Sequence, residues 1–276
     1  MTTIATQQLP SGAKIPVVGL GVFQSEPGAE TYNAVLAGLK LGYRHIDTAQ
    51  FYRNEADVAR AIADSGVPRE EVFVTSKVFF PNGWSYEIVA TAVEQSVERI
   101  GGYIDLYLLH APASPVGRAD AWRALEDAQA KGLLRDIGVS NYGEAHLKKL
   151  AETWRVKPAV NQIELHPWLA RPDLVKYCQD EGILLQAYSP LARATKIADP
   201  TLLAIAKEVK ATPAQVLIAW SIAKGFITLP KSVKESRLQE NLDAYKVTLS
   251  EAVLAKLDAL DEYFVSAWDP IKEHAV

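Results

Sequence analysis

Residues 105–141, DLYLLHAPASPVGRADAWRALEDAQAKGLLRDIGVSN, contain the unit from which the rest of the chain can be read. DLYLLH (105–110) is a short, nearly unbroken apolar run that ends in a histidine, as expected of a strand buried on both faces. Ala121–Ala130 has helical amphipathic spacing, and Gly132 supplies a C-terminal stop. DIGVSN (136–141) is then a second apolar run, ending in a polar pair. A strand followed by a helix in about 30 residues is one βα unit.

The same rhythm extends in both directions. Strands are predicted to begin near Gly19, Arg44, Val72, Asp105, Asp136, Val160, Leu184 and Ile227. Within Ser85–Ile100, the residues Ile88, Val89, Ala92, Val93, Val97 and Ile100 form one apolar face at helical spacing. His146–Trp154 and Arg171–Gln179 read as helices, the second stopped by Gly182. The last gap holds two helical segments, Pro200–Val209 and Pro213–Ala223, each with proline in its first turn, where it is tolerated. Ser250–Leu260 opens with a serine cap. Gln7–Val17 carries a Ser-Gly turn between apolar residues and predicts a hairpin closing the bottom of a barrel.

Eight such units in about 250 residues predict an α/β fold, a (β/α)8 TIM barrel. Residues 1–276 would form one domain with an N-terminal hairpin and a short C-terminal tail, Asp261 to Val276. The alternative, an open doubly wound sheet, would carry a Gly-rich first turn. Here Gly19 and Gly21 are followed by Gln24 where the third glycine belongs.

Composition narrows the functional classes. Lys+Arg 29 against Asp+Glu 33 gives a net charge of −4, which argues against a dedicated nucleic-acid binder. Cys178 is the single cysteine, so no intrachain disulfide and no Cys-rich zinc site can form. The five histidines lack metal-binding spacing, so no metal is expected. With neither a signal-peptide pattern nor a membrane-length apolar run, the expected protein is soluble and cytoplasmic, with no membrane partner.

The working groups of such barrels sit at the carboxyl ends of strands. There the sequence places Asp47, Lys77 and His110, with Tyr52 in the loop after Asp47. Singly these read as a turn cap, a solvated strand end, a core histidine and a loop aromatic. Together they suit proton donation to a carbonyl oxygen. A lysine ammonium beside a tyrosine stabilises the phenolate and lowers its pKa. Asp47 would be the counter-ion of a buried Lys77, and a neutral His110 would orient the substrate oxygen. The hydride must come from a cofactor.

For that cofactor, Ser232 and Glu235 match a capping box and predict a helix from Val233. Lys231, Lys234 and Arg237 surround its start, a phosphate-attracting arrangement that favours NADP(H). Asn141 and Gln162 carry amides able to hold a carboxamide, and Tyr188 offers a stacking face.

The stretches GYRHIDTAQFYRNE (42–55), VFVTSK (72–77), DLYLLHAP (105–112), IGVSNY (137–142), VNQIELHP (160–167), AYSPLA (187–192) and LPKSV (229–233) resemble the aldo-keto reductases over almost the whole chain. The resemblance implies an NADP(H)-dependent, usually monomeric carbonyl reductase on a (β/α)8 barrel. It makes Tyr52 the proton donor, Asp47 and Lys77 its tuning groups, and His110 the orienting group. It assigns Ser140, Asn141 and Gln162 to the nicotinamide carboxamide, Tyr188 to stacking, and Ser189 and Leu191 to the pyrophosphate. Lys231, Ser232, Lys234 and Arg237 would take the 2′-phosphate, and Glu240 and Asn241 the adenine. Gly21, Val22 and Val233 complete the cofactor-binding set.

Two departures bear on substrate: Ala111 and Phe23 stand where many members have tryptophan. Phe23, Phe79, Phe80, Trp84 and Trp268 would line an aromatic cleft that Ala111 widens, with Phe264 as a further lid. The tail LDEYFVSAWDP (260–270) resembles fungal members. Sugar aldehydes, diketones and other metabolite carbonyls are the expected substrates. A non-catalytic NADPH-binding regulatory subunit and a Schiff-base aldolase acting through Lys77 are the competing readings.

Overall fold

The computed structural model describes residues 4–80 and 83–276. An antiparallel hairpin, β1 (Thr6–Gln8) and β2 (Lys14–Pro16), comes first. It is followed by β3 (Leu20–Gly21), α1 (Ala29–Leu41), β4 (His45–Asp47), α2 (Glu55–Ser65), β5 (Phe73–Val78), α3 (Tyr86–Ile100), β6 (Ile104–Leu109) and α4 (Arg118–Ala130). Next come β7 (Leu134–Ser140), α5 (Glu144–Ala151), β8 (Val160–Glu164), α6 (Pro172–Asp180) and β9 (Leu184–Tyr188). The chain continues through α7 (Pro200–Val209), α8 (Pro213–Ala223), β10 (Ile227–Leu229), α9 (Glu235–Asp243), α10 (Glu251–Asp258) and the short α11 (Pro270–Glu273).

Strands β3 to β10 pair in sequence order, each parallel to its neighbour. The ring closes between its first and last strands. Gly19 N donates to Thr228 O at 2.9 Å, Thr228 N to Val17 O at 2.8 Å, and Gly21 N to Pro230 O at 3.1 Å. Eight parallel strands with intervening helices form the (β/α)8 barrel predicted from the apolar rhythm.

Alternation along each strand separates two interiors. Outward residues such as Val74, Tyr107, Leu109 and Ile163 pack against Val89, Val93 and Leu125 of the helices. Inward residues Phe73, Leu106, Leu108, Val160 and Ile227 form a second cluster, which the hairpin seals with Leu9 and Ile15. Two or four residues further along the same strands come Lys77, His110, Gln162 and Glu164. The barrel is therefore apolar at its amino end and polar at its carboxyl end. Gly19 is required at the seam, since a Cβ there would meet His45 Nδ1 at 2.6 Å and Leu229 Cδ2 at 2.8 Å.

Helices α7 and α8 both begin at a proline, and Thr212 caps α8 by accepting from Gln215 N at 3.2 Å. Ser250 likewise caps α10. The helix predicted from Val233 instead begins at Glu235. The Ser232 hydroxyl accepts from Lys234 N at 3.1 Å, so it closes a local turn and does not cap the helix. Among the described residues no helix is long and apolar enough to cross a membrane.

Candidate active site

Asp47 ends β4, and the chain then makes a single 3₁₀ turn, Gln50–Tyr52. Arg53, at φ 57°, reverses it in the left-handed region. The turn is held from below by Asn54, which is fully buried. Its Oδ1 accepts from the Thr48 hydroxyl at 2.7 Å, and its Nδ2 donates to Val22 O at 3.2 Å. This places the Tyr52 hydroxyl 3.4 Å from Nζ of Lys77 on β5. Lys77 is 0% exposed, and its ammonium donates to Asp47 Oδ1 at 2.7 Å and Thr48 O at 2.9 Å. The His110 ring meets that of Tyr52 edge-on at 5.7 Å. The four predicted residues therefore converge at one barrel mouth.

Their electrostatics differ from the expectation in one respect. Burial pushes the Tyr52 hydroxyl well above its ordinary pKa, and the charge of Asp47 adds to the effect. The expected lowering by Lys77 does not prevail, because desolvation of a phenolate outweighs an ammonium already committed to Asp47. The resting tyrosine is thus a neutral phenol. Burial lowers the Lys77 pKa, and Asp47 opposes that shift. Burial, then the Lys77 charge, hold the His110 pKa well below the imidazole range, so its ring is neutral.

A cavity of about 990 Å³ extends from this floor past the carboxyl ends of β7, β8 and β9 to the start of α9. Gly21, Ser140, Asn141, Gln162, Tyr188, Ser189 and Leu191 line it, as do Lys231, Ser232, Arg237, Glu240 and Asn241. Several of their polar atoms are already paired. Gln162 Nε2 donates to Asp47 Oδ2 at 2.8 Å and to Gln186 Oε1 at 2.7 Å. Asn141 Nδ2 donates to His110 O at 2.9 Å, and its Oδ1 accepts from the Tyr188 hydroxyl at 2.8 Å. Glu240 accepts from the Thr212 hydroxyl at 2.6 Å. Lys231 Nζ donates to Gln24 O at 3.1 Å. Among the described residues, Lys231, Lys234 and Arg237 have no ion-pairing carboxylate, which leaves local positive charge in a chain of net charge −4.

The remaining expectations divide. Phe23, Phe79 and Trp268 line the cavity; Phe80, Trp84, Ala111 and Phe264 do not, and neither do Val22, Val233 and Lys234. Ala111 is fully buried, so it does not widen the cavity directly. Trp84 turns inward because its indole donates to Pro112 O at 3.2 Å, and Phe80 packs on it edge-on. Phe264 sits under Lys196, whose Nζ lies 4.6 Å from the ring centre. Sequence reading missed Phe51, which lies in the 3₁₀ turn beside Tyr52, and Arg193, which reaches Gln24 Oε1 at 3.3 Å. Phe51 was legible as the neighbour of Tyr52. Arg193, in a loop of left-handed residues, carried no periodic signal. Among the described residues no group of three or more His, Cys, Asp or Glu side chains is placed to hold a metal ion.

The geometry agrees with the relatives. The sequence profile of the Aldo/keto reductase family matches residues 17–262. A glyoxal reductase of Bacillus subtilis is 43% identical over 258 residues, covering 93% of each chain. A 9,11-endoperoxide prostaglandin H2 reductase of Trypanosoma cruzi is 42% identical, covering 92% of this chain and 90% of its own. Among solved structures, an aldo-keto reductase of Bombyx mori in complex with NADP superposes with a TM-score of 0.89 at 32% identity, covering 96% of this chain and 95% of its own. The barrel, the polar strand ends and these matches have one explanation: the chain belongs to the aldo/keto reductase family.

Proposed function

We propose that the protein reduces an aldehyde or ketone to an alcohol with NADPH, Tyr52 donating the proton. The observation that carries this is the hydrogen-bonded line Asp47–Lys77–Tyr52 at the floor of a cavity whose far end presents Lys231 and Arg237. The unpaired cations and the backbone N–H groups at the start of α9 fit a dinucleotide phosphate. Gln162 and Asn141 would hold the carboxamide near the floor, and Tyr188 would lie against the ring. When bound, a nicotinamide dinucleotide supplies the hydride.

The protein's own part is proton delivery. A neutral Tyr52 keeps its proton until charge develops on the carbonyl oxygen. Lys77, 3.4 Å away, then stabilises the phenolate left behind. Asp47 and the Thr48 carbonyl hold the lysine in place. His110, neutral and lining the same floor, offers a hydrogen bond without placing a positive charge beside the tyrosine. Since neither His110 nor Tyr52 titrates near neutrality, the reduction rate is expected to stay flat between about pH 6 and 8.

The B. subtilis relative, a glyoxal reductase, makes a small dicarbonyl the first compound to try. The test follows oxidation of NADPH, and separately of NADH, across glyceraldehyde, sugars, glyoxals and bulky diketones, with Tyr52→Phe as control. Turnover that prefers NADPH and collapses in Tyr52→Phe supports the proposal. Tight NADPH binding without turnover on any carbonyl would replace it with a regulatory, cofactor-sensing role.

A further inference from the structure

The C-terminal tail reaches the cavity through Ala267 and Trp268. Its attachment on either side of them is built from buried charge. On one side, Ser266 N donates to Glu164 Oε1 at 3.0 Å, and Glu164, at the end of β8, is 1% exposed. His166 Nε2 lies 3.0 Å from the same oxygen. On the other side, Arg171 Nη2 donates to Asp269 Oδ1 at 3.1 Å and Nη1 to the Tyr263 hydroxyl at 2.9 Å. That hydroxyl donates to Asp269 Oδ2 at 2.9 Å, closing a three-residue ring. Arg171 is 7% exposed, with its backbone in the left-handed region at φ 46°. Lys272 Nζ covers the Tyr263 ring at 3.6 Å.

Tail residues without regular structure ordinarily retain conformational freedom. Here two buried polar anchors, both in or beside the β8–α6 connection, bracket a tryptophan that is still 38% exposed. A large apolar surface held at a cavity rim by fixed charges is a wall.

We infer that Arg171 and Glu164 are specificity-determining positioning residues, which clamp the tail around Trp268 so that carbonyl substrates are sorted by the bulk of the group beside the carbonyl. This rests on the carbonyl-reductase reading above. A bulky substituent offers the clamped wall a large apolar surface to contact, whereas a methyl group offers it little. Neither anchor touches the proton donor, so the clamp governs binding of the remote group and leaves the chemical step alone.

Phenylglyoxal and methylglyoxal share one reacting group and differ in bulk. Initial rates with both are measured for the wild-type protein, Asp269→Asn, Arg171→Ala, Trp268→Ala and the double variant Asp269→Asn/Trp268→Ala. Asp269→Asn and Arg171→Ala are expected to raise KM for phenylglyoxal about tenfold, while kcat and the KM for methylglyoxal stay within about twofold. In the double variant, KM for phenylglyoxal should match that of Trp268→Ala alone, because the clamp acts through the tryptophan. Equal losses on both aldehydes, or additive losses in the double variant, would overturn the inference. If Arg171→Ala does not fold, Asp269→Asn decides by itself, since Asp269 lies on the tail. Absence of turnover by the wild-type protein on any carbonyl would overturn the underlying reading, and the inference with it.

Discussion

The two ends of the barrel are made by the same strands and are chemically opposite. Along β5 the inward residues run Phe73, Thr75, Lys77; along β6 and just beyond it, Leu106, Leu108, His110; along β8, Val160, Gln162, Glu164. At the amino end these side chains meet Leu9 and Ile15 of the hairpin in a dry cluster. At the carboxyl end they form the linked polar floor of Lys77, Asp47 and Gln162. A step of two residues keeps a side chain on the same face, so each strand passes from packing to chemistry within about 13 Å. The lesson is a division of labour: the lower half supplies folding free energy, and the upper half spends part of it on burying charge.

Exchanging damage between the halves is the strongest way to break that comparison. Tyr52→Phe removes one hydroxyl from the floor and is expected to lower reductase turnover by about 10²–10⁴-fold with the urea midpoint nearly unchanged. Leu106→Ala, in the lower half, is expected to cost about 2–5 kcal/mol in urea unfolding while the folded protein keeps its kcat. A Leu106 variant of normal stability and impaired turnover would erase the distinction.

Acid probes the one histidine of the lower half. His45 is fully buried, its ring within 3.0 Å of the Thr75 hydroxyl, and burial lowers its pKa to about 4. Between that value and the unfolded one near 6.5, the unfolded chain binds the extra proton. Stability from this group is therefore complete above about pH 6.5 and falls toward pH 4, by about 3 kcal/mol. Burial holds His110 below the imidazole range as well, so the difference in urea midpoint between the wild-type protein and His45→Gln across that interval measures the His45 share. Gly19→Ala presses on the same ring and is expected to cost about 1–3 kcal/mol in the same assay. Smallest, and confined to the upper half, is Arg237→Ala. It should raise KM for NADPH about tenfold and leave KM for NADH unchanged, as loss of one charge-assisted contact predicts.

Much of this was legible in the sequence because polar residues stand out at the ends of apolar runs. Asp47, Lys77, His110, Asn141 and Gln162 all occupy such positions, and strand order brings them together. What escaped was local. Ser232 and Glu235 have the spacing of a capping box, but the serine satisfies Lys234 N first, and the helix starts two residues late. Trp84 and Phe80 are as aromatic as Phe79, yet the indole bond to Pro112 O turns Trp84 away from the cavity. Burial raises the Tyr52 pKa although Lys77 lies 3.4 Å away, an outcome that composition cannot reveal. Helix α1 carries apolar residues around most of its circumference (Ala34, Val35, Leu36, Ala37, Leu39), so no single stripe announces it.

The closure between Gly21 and Pro230 has a consequence for synthesis on the ribosome. The first barrel strand to emerge must wait for the last, because its open edge is covered only when residues 227–230 arrive. Until then β3 is a bare strand edge, able to pair with any other nascent chain. Its brevity, two residues preceded by Gly19, limits that risk during the wait.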